Sequence, residues 1–471
     1  MWKFEQFADK TALKDEYGNT LTYAELDKKT KSLANAIGRR TLIFCLCENK
    51  IGSIIGYSAC INAQIVPVLL NAHLEREMIS NLLEIYKPEF LWIPNEQLEE
   101  FVSMDSVLSM DDYSLLRTNY GVNHNLYREL ALLLTTSGST GSPKFVRQSY
   151  SNIKANTAAI IEYLHLDSSE KAITTLPMNY TYGLSIINTH LMVGATLLLT
   201  DKGLMQKEFW NFFREAGATS FGGVPYTYEM LDKLRFYRMQ LPSLRYMTQA
   251  GGKLTSELHK KFAEYAEAAG KSFIVMYGQC EATARMGYLP ADKAVEKCGS
   301  MGIVIPGGKF YLIDAEGNNI NEPNITGELF YEGANVTLGY AECAEDLAKG
   351  DENGGLLQTG DMAQFDEDGF FYIVGRKKRF LKIYGNRVNL DEIDRLIKGK
   401  FDNMDCASGG VDDHMYIFIT DESKSSAVKA FVVEKTKLNP NAFKTIVIDK
   451  IPKNDTGKVL YKEFEKYYEE V

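Results

Sequence analysis

The sequence predicts a multi-domain α/β protein: a large N-terminal domain of αβ-layered parallel sheets, a small β-rich subdomain, and a small α+β unit at the C-terminal end. Three observations predict it. The 471 residues exceed what one hydrophobic core usually serves. Up to about residue 300, short apolar runs alternate with helix-length amphipathic segments, the pattern of parallel strands covered on both faces. Beyond that point short β runs are separated by Gly, Asn and Asp turns. Hydrophobic residues at 45% and charged residues at 24% are ordinary globular usage, which excludes a disordered, collagen-like or coiled-coil chain.

Each element has its local reason. In Tyr23–Ile37, Leu26, Leu33 and Ile37 share one helical stripe and Thr22 is placed to cap it. Buried-strand candidates follow at Leu42–Leu46, Ile65–Leu70, Phe90–Ile93, Ala131–Thr136, Ala172–Pro177, Thr196–Thr200, Ser220–Gly223 and Phe273–Met276. The β-rich stretch, about residues 300–377, carries Lys309–Ile313, Gly327–Tyr331 and Phe370–Val374. From Lys378 to Val471 strands (Met415–Ile419, Thr445–Ile448) mix with amphipathic helices expected at Leu390–Ile397, Ser425–Glu434 and Leu460–Tyr468. The expected division is therefore 1–377 and 378–471.

A net charge of −10, from 52 Lys+Arg against 62 Asp+Glu, argues against broad nucleic-acid binding. Seven scattered cysteines form no secreted disulfide framework, and Cys45 and Cys47, in an apolar strand, are expected as buried reduced thiols. The first residues lack an apolar signal-peptide core and no window reaches the length of a membrane span. A cytoplasmic enzyme is the expectation.

The most informative stretch is Thr135-Thr-Ser-Gly-Ser-Thr-Gly-Ser-Pro-Lys144, directly after an apolar strand. Its glycines permit close backbone approach, its hydroxyls and N–H groups are donors, and Lys144 adds a positive charge, which together suit a triphosphate. It is not a Walker loop: a Pro stands between Gly141 and Lys144, and Phe145 follows.

This loop resembles the signature of the adenylate-forming superfamily of acyl-CoA synthetases, peptide-synthetase adenylation domains and luciferases. Further segments recur in that family's order: Tyr277-Gly-Gln-Cys-Glu-Ala-Thr283, Gly327-Glu-Leu329, Thr359-Gly-Asp361, Gly375-Arg376, Lys382-Ile-Tyr-Gly-Asn-Arg387 and Pro452-Lys-Asn-Asp-Thr-Gly-Lys458. The resemblance covers nearly the whole chain. It implies activation of a small-molecule carboxylic acid by ATP and Mg²⁺ to acyl-AMP, then transfer to a thiol: coenzyme A, or the phosphopantetheine of a free acyl carrier protein. It implies that Thr135, Thr136, Ser137, Gly138, Ser139, Thr140, Gly141 and Lys144 hold the phosphates, with Thr136 also catalytic. Tyr277 stacks on adenine beside Gly251 and Gly252, in a segment with Gly278, Gln279 and Cys280. Glu281 helps hold Mg²⁺, Asp361 accepts from the ribose hydroxyls, Arg376 contacts ribose or phosphate, and Lys458 reaches the α-phosphate. It also implies a mobile C-terminal domain hinged at Lys378, with Lys382 and Gly385 on the face used in the thiol half-reaction. That domain is short for the family, so a trimmed thiol-binding surface is expected.

Two departures stand out. Cys280 occupies a place where the family usually has Thr, and a thiol is the poorer donor; a nucleotide-binding homologue without activity is the reading this leaves open. Tyr180 stands where the family often has an aromatic or His gate. Tyr180, Tyr182, Gly183, Gly222 and Gly223 are the candidate acyl pocket. No acid lies between Leu176 and Thr200, so an α-ammonium would go unpaired, and an acid without an α-amine is expected.

Overall fold

The computed structural model describes residues 1–121, 123–135, 144–383, 386–401, 404–436, 438–454 and 457–468. It divides by contact into two compact units, the first comprising Met1–Phe310 with Tyr331–Leu357, the second Tyr311–Phe330 with Gln358–Val471. The strand-rich segment after residue 300 is thus shared between the units, and both sides of Lys378 belong to the second.

Two large sheets dominate the first unit. In one, strands Ser272–Tyr277, Tyr246–Gln249, Ser220–Gly223, Lys171–Ile173, Thr196–Leu199 and Thr11–Asp15 run parallel in that spatial order, with antiparallel strands at the edges. In the other, Leu130–Thr135, Val66–Asn71, Leu42–Cys47 and Phe90–Pro94 are parallel neighbours. This second sheet is mixed, because Tyr113–Arg117 pairs antiparallel with Phe90–Pro94 and Phe145–Ser149 with Leu130–Thr135.

Helices Tyr23–Ile37, Ile51–Asn62 and Thr181–Val193 share one core with both sheets, which joins Leu13, Leu197 and Leu199 to Leu69, Trp92 and Leu134. Ile51 through Ile61 are all buried, as a helix covered on every side requires. Its glycines admit aromatic rings: a Cβ on Gly56 would lie 2.3 Å from Trp92. The helix at Tyr23–Ile37 starts where expected, with a reciprocal capping box between Thr22 and Glu25 and a left-handed Gly38 at its end. Cys45 and Cys47 are buried thiols, and none of the seven cysteines is bridged.

In the second unit the strand Leu356–Phe365 pairs antiparallel with Phe371–Arg376. A three-stranded sheet of Cys406–Val411, His414–Ile419 and Phe443–Val447 follows, with helices Leu390–Lys400 and Ser425–Thr436 sharing its core. The helix expected at Leu460–Tyr468 is instead a 3₁₀ helix, Tyr461–Tyr467. The three-residue spacing of Tyr461, Phe464 and Tyr467 explains the difference: the tighter winding aligns i and i+3, and both Phe464 and Tyr467 pack on Phe418 at 4.3 and 5.5 Å. Among the described residues no helix is long and apolar enough to cross a membrane.

His190, on the helix Thr181–Val193, is buried, and burial pushes its pKa down to about 4. Because that lies below the unfolded value, acid protonates the unfolded chain first, and stability falls as pH drops from about 6.5 towards 4. Urea titrations at pH 7 and pH 5 should show His190→Asn losing about 2 kcal/mol less than the wild type over that interval.

Candidate active site

The phosphate-loop candidate hangs between two paired strands. Thr135 ends Leu130–Thr135, Phe145 begins Phe145–Ser149, and the two residues are register partners. Thr136, Ser137, Gly138, Ser139, Thr140 and Gly141 lie outside the described residues, as does Gly385. Lys144 sits at the far foot of the loop, its Nζ 3.8 Å from the centre of the Tyr340 ring and 3.6 Å from Glu342. Arg147, fully buried on the next strand, donates to the carbonyls of Leu338 and Tyr340 and pairs with Glu352, which fixes the Tyr340 backbone beside the loop.

Tyr340 also donates its hydroxyl to Glu281 Oε1 at 2.8 Å. One aromatic ring therefore links the two residues expected to face phosphate and Mg²⁺, and sequence reasoning missed it. Glu281 forms no ion pair among the described residues. A half-buried carboxylate held by one neutral donor suits a hard cation that completes its shell with phosphate oxygens and water. Among the described residues no cluster of three or more His, Cys, Asp or Glu could cage a metal alone.

Glu281 rides on the loop that follows strand Ser272–Tyr277, and this loop is held tightly. A Cβ on Gly278 would fall 1.6 Å from the Ala284 carbonyl oxygen, so only glycine fits. Thr283 adopts φ +64°, rare for a β-branched residue. Buried Asn335 stabilises that conformation: its amide donates to the carbonyls of Ala282 (2.9 Å) and Arg285 (3.0 Å), and its own carbonyl accepts from the Thr283 hydroxyl at 2.7 Å. Thr337 donates from backbone and side chain to the Glu281 carbonyl. Tyr277 ends the strand part-exposed, with Phe310 6.4 Å away and Gln279 donating to its hydroxyl. Cys280 is buried in the short 3₁₀ turn Cys280–Ala282.

The acyl-pocket candidates gather around the start of Thr181–Val193. Tyr182 shares a hydrogen bond with Thr248 at 2.8 Å, and Tyr180 meets its ring edge-on at 6.3 Å. Gly251 has φ +84°, and a Cβ there would lie 2.8 Å from the Tyr180 hydroxyl. Gly252 closes the turn by accepting from Gln249. Gly222 and Gly223 end their strand beside Tyr182, whose oxygen accepts from the Gly223 N–H. Gly183 faces elsewhere: a Cβ would stand 2.3 Å from the Pro177 carbonyl, so this position serves close packing, and no acid fits there.

In the second unit Asp361 and Arg376 are cross-strand partners, with Nε 3.4 Å from Oδ1; Asp361 is only 4% exposed. Thr359 accepts from the Asp361 N–H and donates to Leu329, which shapes the Thr-Gly-Asp turn. The basic run Arg376–Arg379 is no bare charge patch: Lys377 pairs with Glu328, and buried Arg379 with Asp391 and Asp394. Lys378 lies in the 3₁₀ turn Lys377–Arg379 and Lys382 in the strand Phe380–Ile383. The Lys458 N–H donates to the Asn454 side chain and its carbonyl accepts from the Asn454 N–H, with Gly457 at φ +77°.

Comparison with known proteins agrees with these features. The AMP-binding enzyme family matches residues 2–341. An oxalate–CoA ligase of Arabidopsis thaliana is 29% identical over 70% of this chain and 66% of its own length. A 2-succinylbenzoate–CoA ligase of Oceanobacillus iheyensis is 27% identical over 83% of this chain and 81% of its own. Among solved structures, o-succinylbenzoate coenzyme A synthetase of Bacillus subtilis with AMP superposes at TM-score 0.79 with 20% identity over 98% of this chain and 96% of its own, and ATP-bound MatB of Rhodopseudomonas palustris at 0.80 with 21% over 99% and 98%. The chain therefore belongs to the AMP-binding enzyme family, within the adenylate-forming superfamily.

Asn335→Asp keeps size and shape but replaces two donors with acceptors facing carbonyls. It should cost about 2–4 kcal/mol in urea unfolding and abolish most activity, since the Glu281 loop loses its anchor. A midpoint and activity within error of wild type would show that the loop stands without it.

Proposed function

We propose that this enzyme joins a small carboxylic acid lacking an α-amine to the AMP moiety of ATP, releasing pyrophosphate, and then passes the acyl group to coenzyme A with release of AMP. The observation that carries the reading is the pairing of Glu281 and Lys144 through Tyr340, next to the strand ends that bracket the phosphate loop. Lys144 supplies positive charge to the phosphates. Glu281 would hold Mg²⁺, which when bound would supply positive charge to neutralise the phosphates. Asp361, with two acceptor oxygens steadied by Arg376, suits a ribose diol. Lys458 meets the charge that develops as the carboxylate attacks phosphorus. The hinge role of Lys378 and the thiol-stage roles of Lys382 and Gly385 belong to this proposal.

The absence of Asp and Glu from the described lining of the cavity beside Tyr182 supports an acid without an α-ammonium. The relatives named above are CoA ligases, which favours coenzyme A over a carrier protein as acceptor. The cysteines, all free thiols, support a reducing, cytoplasmic setting.

ATP–pyrophosphate exchange across a panel of carboxylic acids tests the reading. Exchange should appear only with an acid present, and acyl-CoA should form on adding coenzyme A. Lys458→Ala should lower exchange at least about a hundredfold with an unchanged melting temperature. No exchange with any acid would sink the proposal.

A further inference from the structure

Beside Tyr182 lies a narrow cavity of about 20 Å³, room for one small polar group, lined by Ser185, His190, Gly222, Thr248 and Arg285 among apolar side chains. Arg285 is 2% exposed. Its guanidinium lies over the Tyr182 ring at 4.1 Å and donates to the Ser185 hydroxyl at 3.0 Å and to the Met276 sulfur. No carboxylate among the described residues pairs with it, and its Nε–H has no partner. A thioether and the hydroxyls of Ser185 and Tyr182 are weak company for a buried cation, which ordinarily has an anion beside it.

His190 opens on the same cavity. Its Nδ1 is 2.8 Å from the Ile186 carbonyl, which can only accept, so the proton sits on Nδ1 and Nε2 is a bare acceptor without a partner. Two nine-tenths-buried side chains therefore each leave one polar atom without a partner at one cavity: Arg285 Nε–H, a charged donor, and His190 Nε2, a neutral acceptor. Gly222 keeps the space open, since a Cβ there would lie 3.0 Å from both Ile186 and the Tyr182 hydroxyl.

We propose that the acid this enzyme activates carries a second carboxylate, and that Arg285 receives it, making the substrate a short dicarboxylic acid. The proposal rests on the acid-activating reading above and deepens it. The carboxylate fills the cavity and accepts from Arg285 Nε–H. Thr248 and Ser185 supply the polar wall, and the small volume of the cavity excludes longer chains. A monocarboxylic acid of equal length would leave the guanidinium unpaired on binding, so the site discriminates by an unmet charge rather than by size.

The test uses the full-length wild-type enzyme and two paired series, malonate, succinate and glutarate against propionate, butyrate and valerate. In pyrophosphate exchange at least one diacid should exceed its monoacid in kcat/KM by about a hundredfold. Arg285→Met should erase that ratio mainly through KM, and Arg285→Lys should restore part of it. Equal or better use of monoacids by the wild type would overturn the proposal while leaving the ligase reading intact. If no acid supports exchange, the ligase reading fails, and thermal shift decides the site separately: diacids raising the melting temperature more than monoacids supports it, and equal or smaller shifts overturn it.

Discussion

Asn335 is the fixed point of the first unit's chemistry. One buried amide gathers the Ala282 and Arg285 carbonyls and, through its own backbone carbonyl, the Thr283 hydroxyl. Asn156 adds a second donor to Arg285 O at 2.9 Å. Three residues of loop are thereby fixed at both edges, and this is what sustains a β-branched residue at positive φ, a conformation that by itself costs about 1–3 kcal/mol. The loop then does two things with one shape. Its first half presents Glu281 towards Tyr340 and Lys144, and its last residue turns Arg285 into the cavity beside Tyr182. Gly278 makes the shape possible at its start, where the backbone passes too near Ala284 for any side chain.

Two buried arginines in this unit show what a satisfied cation looks like and what an unsatisfied one looks like. Arg147 is fully buried, yet it has Glu352 and four carbonyls around its guanidinium. Its role is structural: it ties the 338–352 segment to the strand after the phosphate loop. Arg285 has an aromatic face, a sulfur and the hydroxyls of Ser185 and Tyr182, with no carboxylate among the described residues. Cation–π contact at a desolvated site is worth about 2 kcal/mol, whereas burying an unpaired charge costs several. Packing alone does not balance that difference, so a structural role leaves Arg285 unexplained and a ligand role does not.

Much of the architecture was legible because it is written locally. The capping box at Thr22, the uniformly apolar strand Leu42–Cys47, and the strand entering the phosphate loop each depend on neighbours within a few residues. Asp361 and Arg376 were legible as separate motif members, and the antiparallel pairing of their strands turns them into partners. Tyr340, Asn335 and Arg285 were not legible. Tyr340 meets Glu281 across 59 positions and Asn335 meets Ala282 across 53, and neither sits in a patterned run. Arg285 had one signal available: a lone charge within Ala282-Thr-Ala-Arg-Met-Gly-Tyr288, otherwise small or apolar. Gly183 was read as a pocket position, but its role depends on the approach of Pro177, which no local pattern records.

The second unit applies the same rule with charges that are met. The basic run Arg376–Arg379 reads in sequence as one patch, but alternate partners divide it: Lys377 turns to Glu328, and Arg379 turns inward to Asp391, Asp394 and the Tyr461 ring. Burial still pushes the Asp394 carboxyl up to about 6 despite the arginine beside it, so desolvation outweighs the pair's attraction there. Arg376, by contrast, keeps a mostly exposed side chain and only a 3.4 Å contact to Asp361. A guanidinium at that distance steadies the Asp361 carboxylate from the neighbouring strand. Within one four-residue run, buried Arg379 holds the fold through two carboxylates, exposed Lys377 pairs with Glu328, and the residue assigned to ribose or phosphate stays mostly exposed beside Asp361.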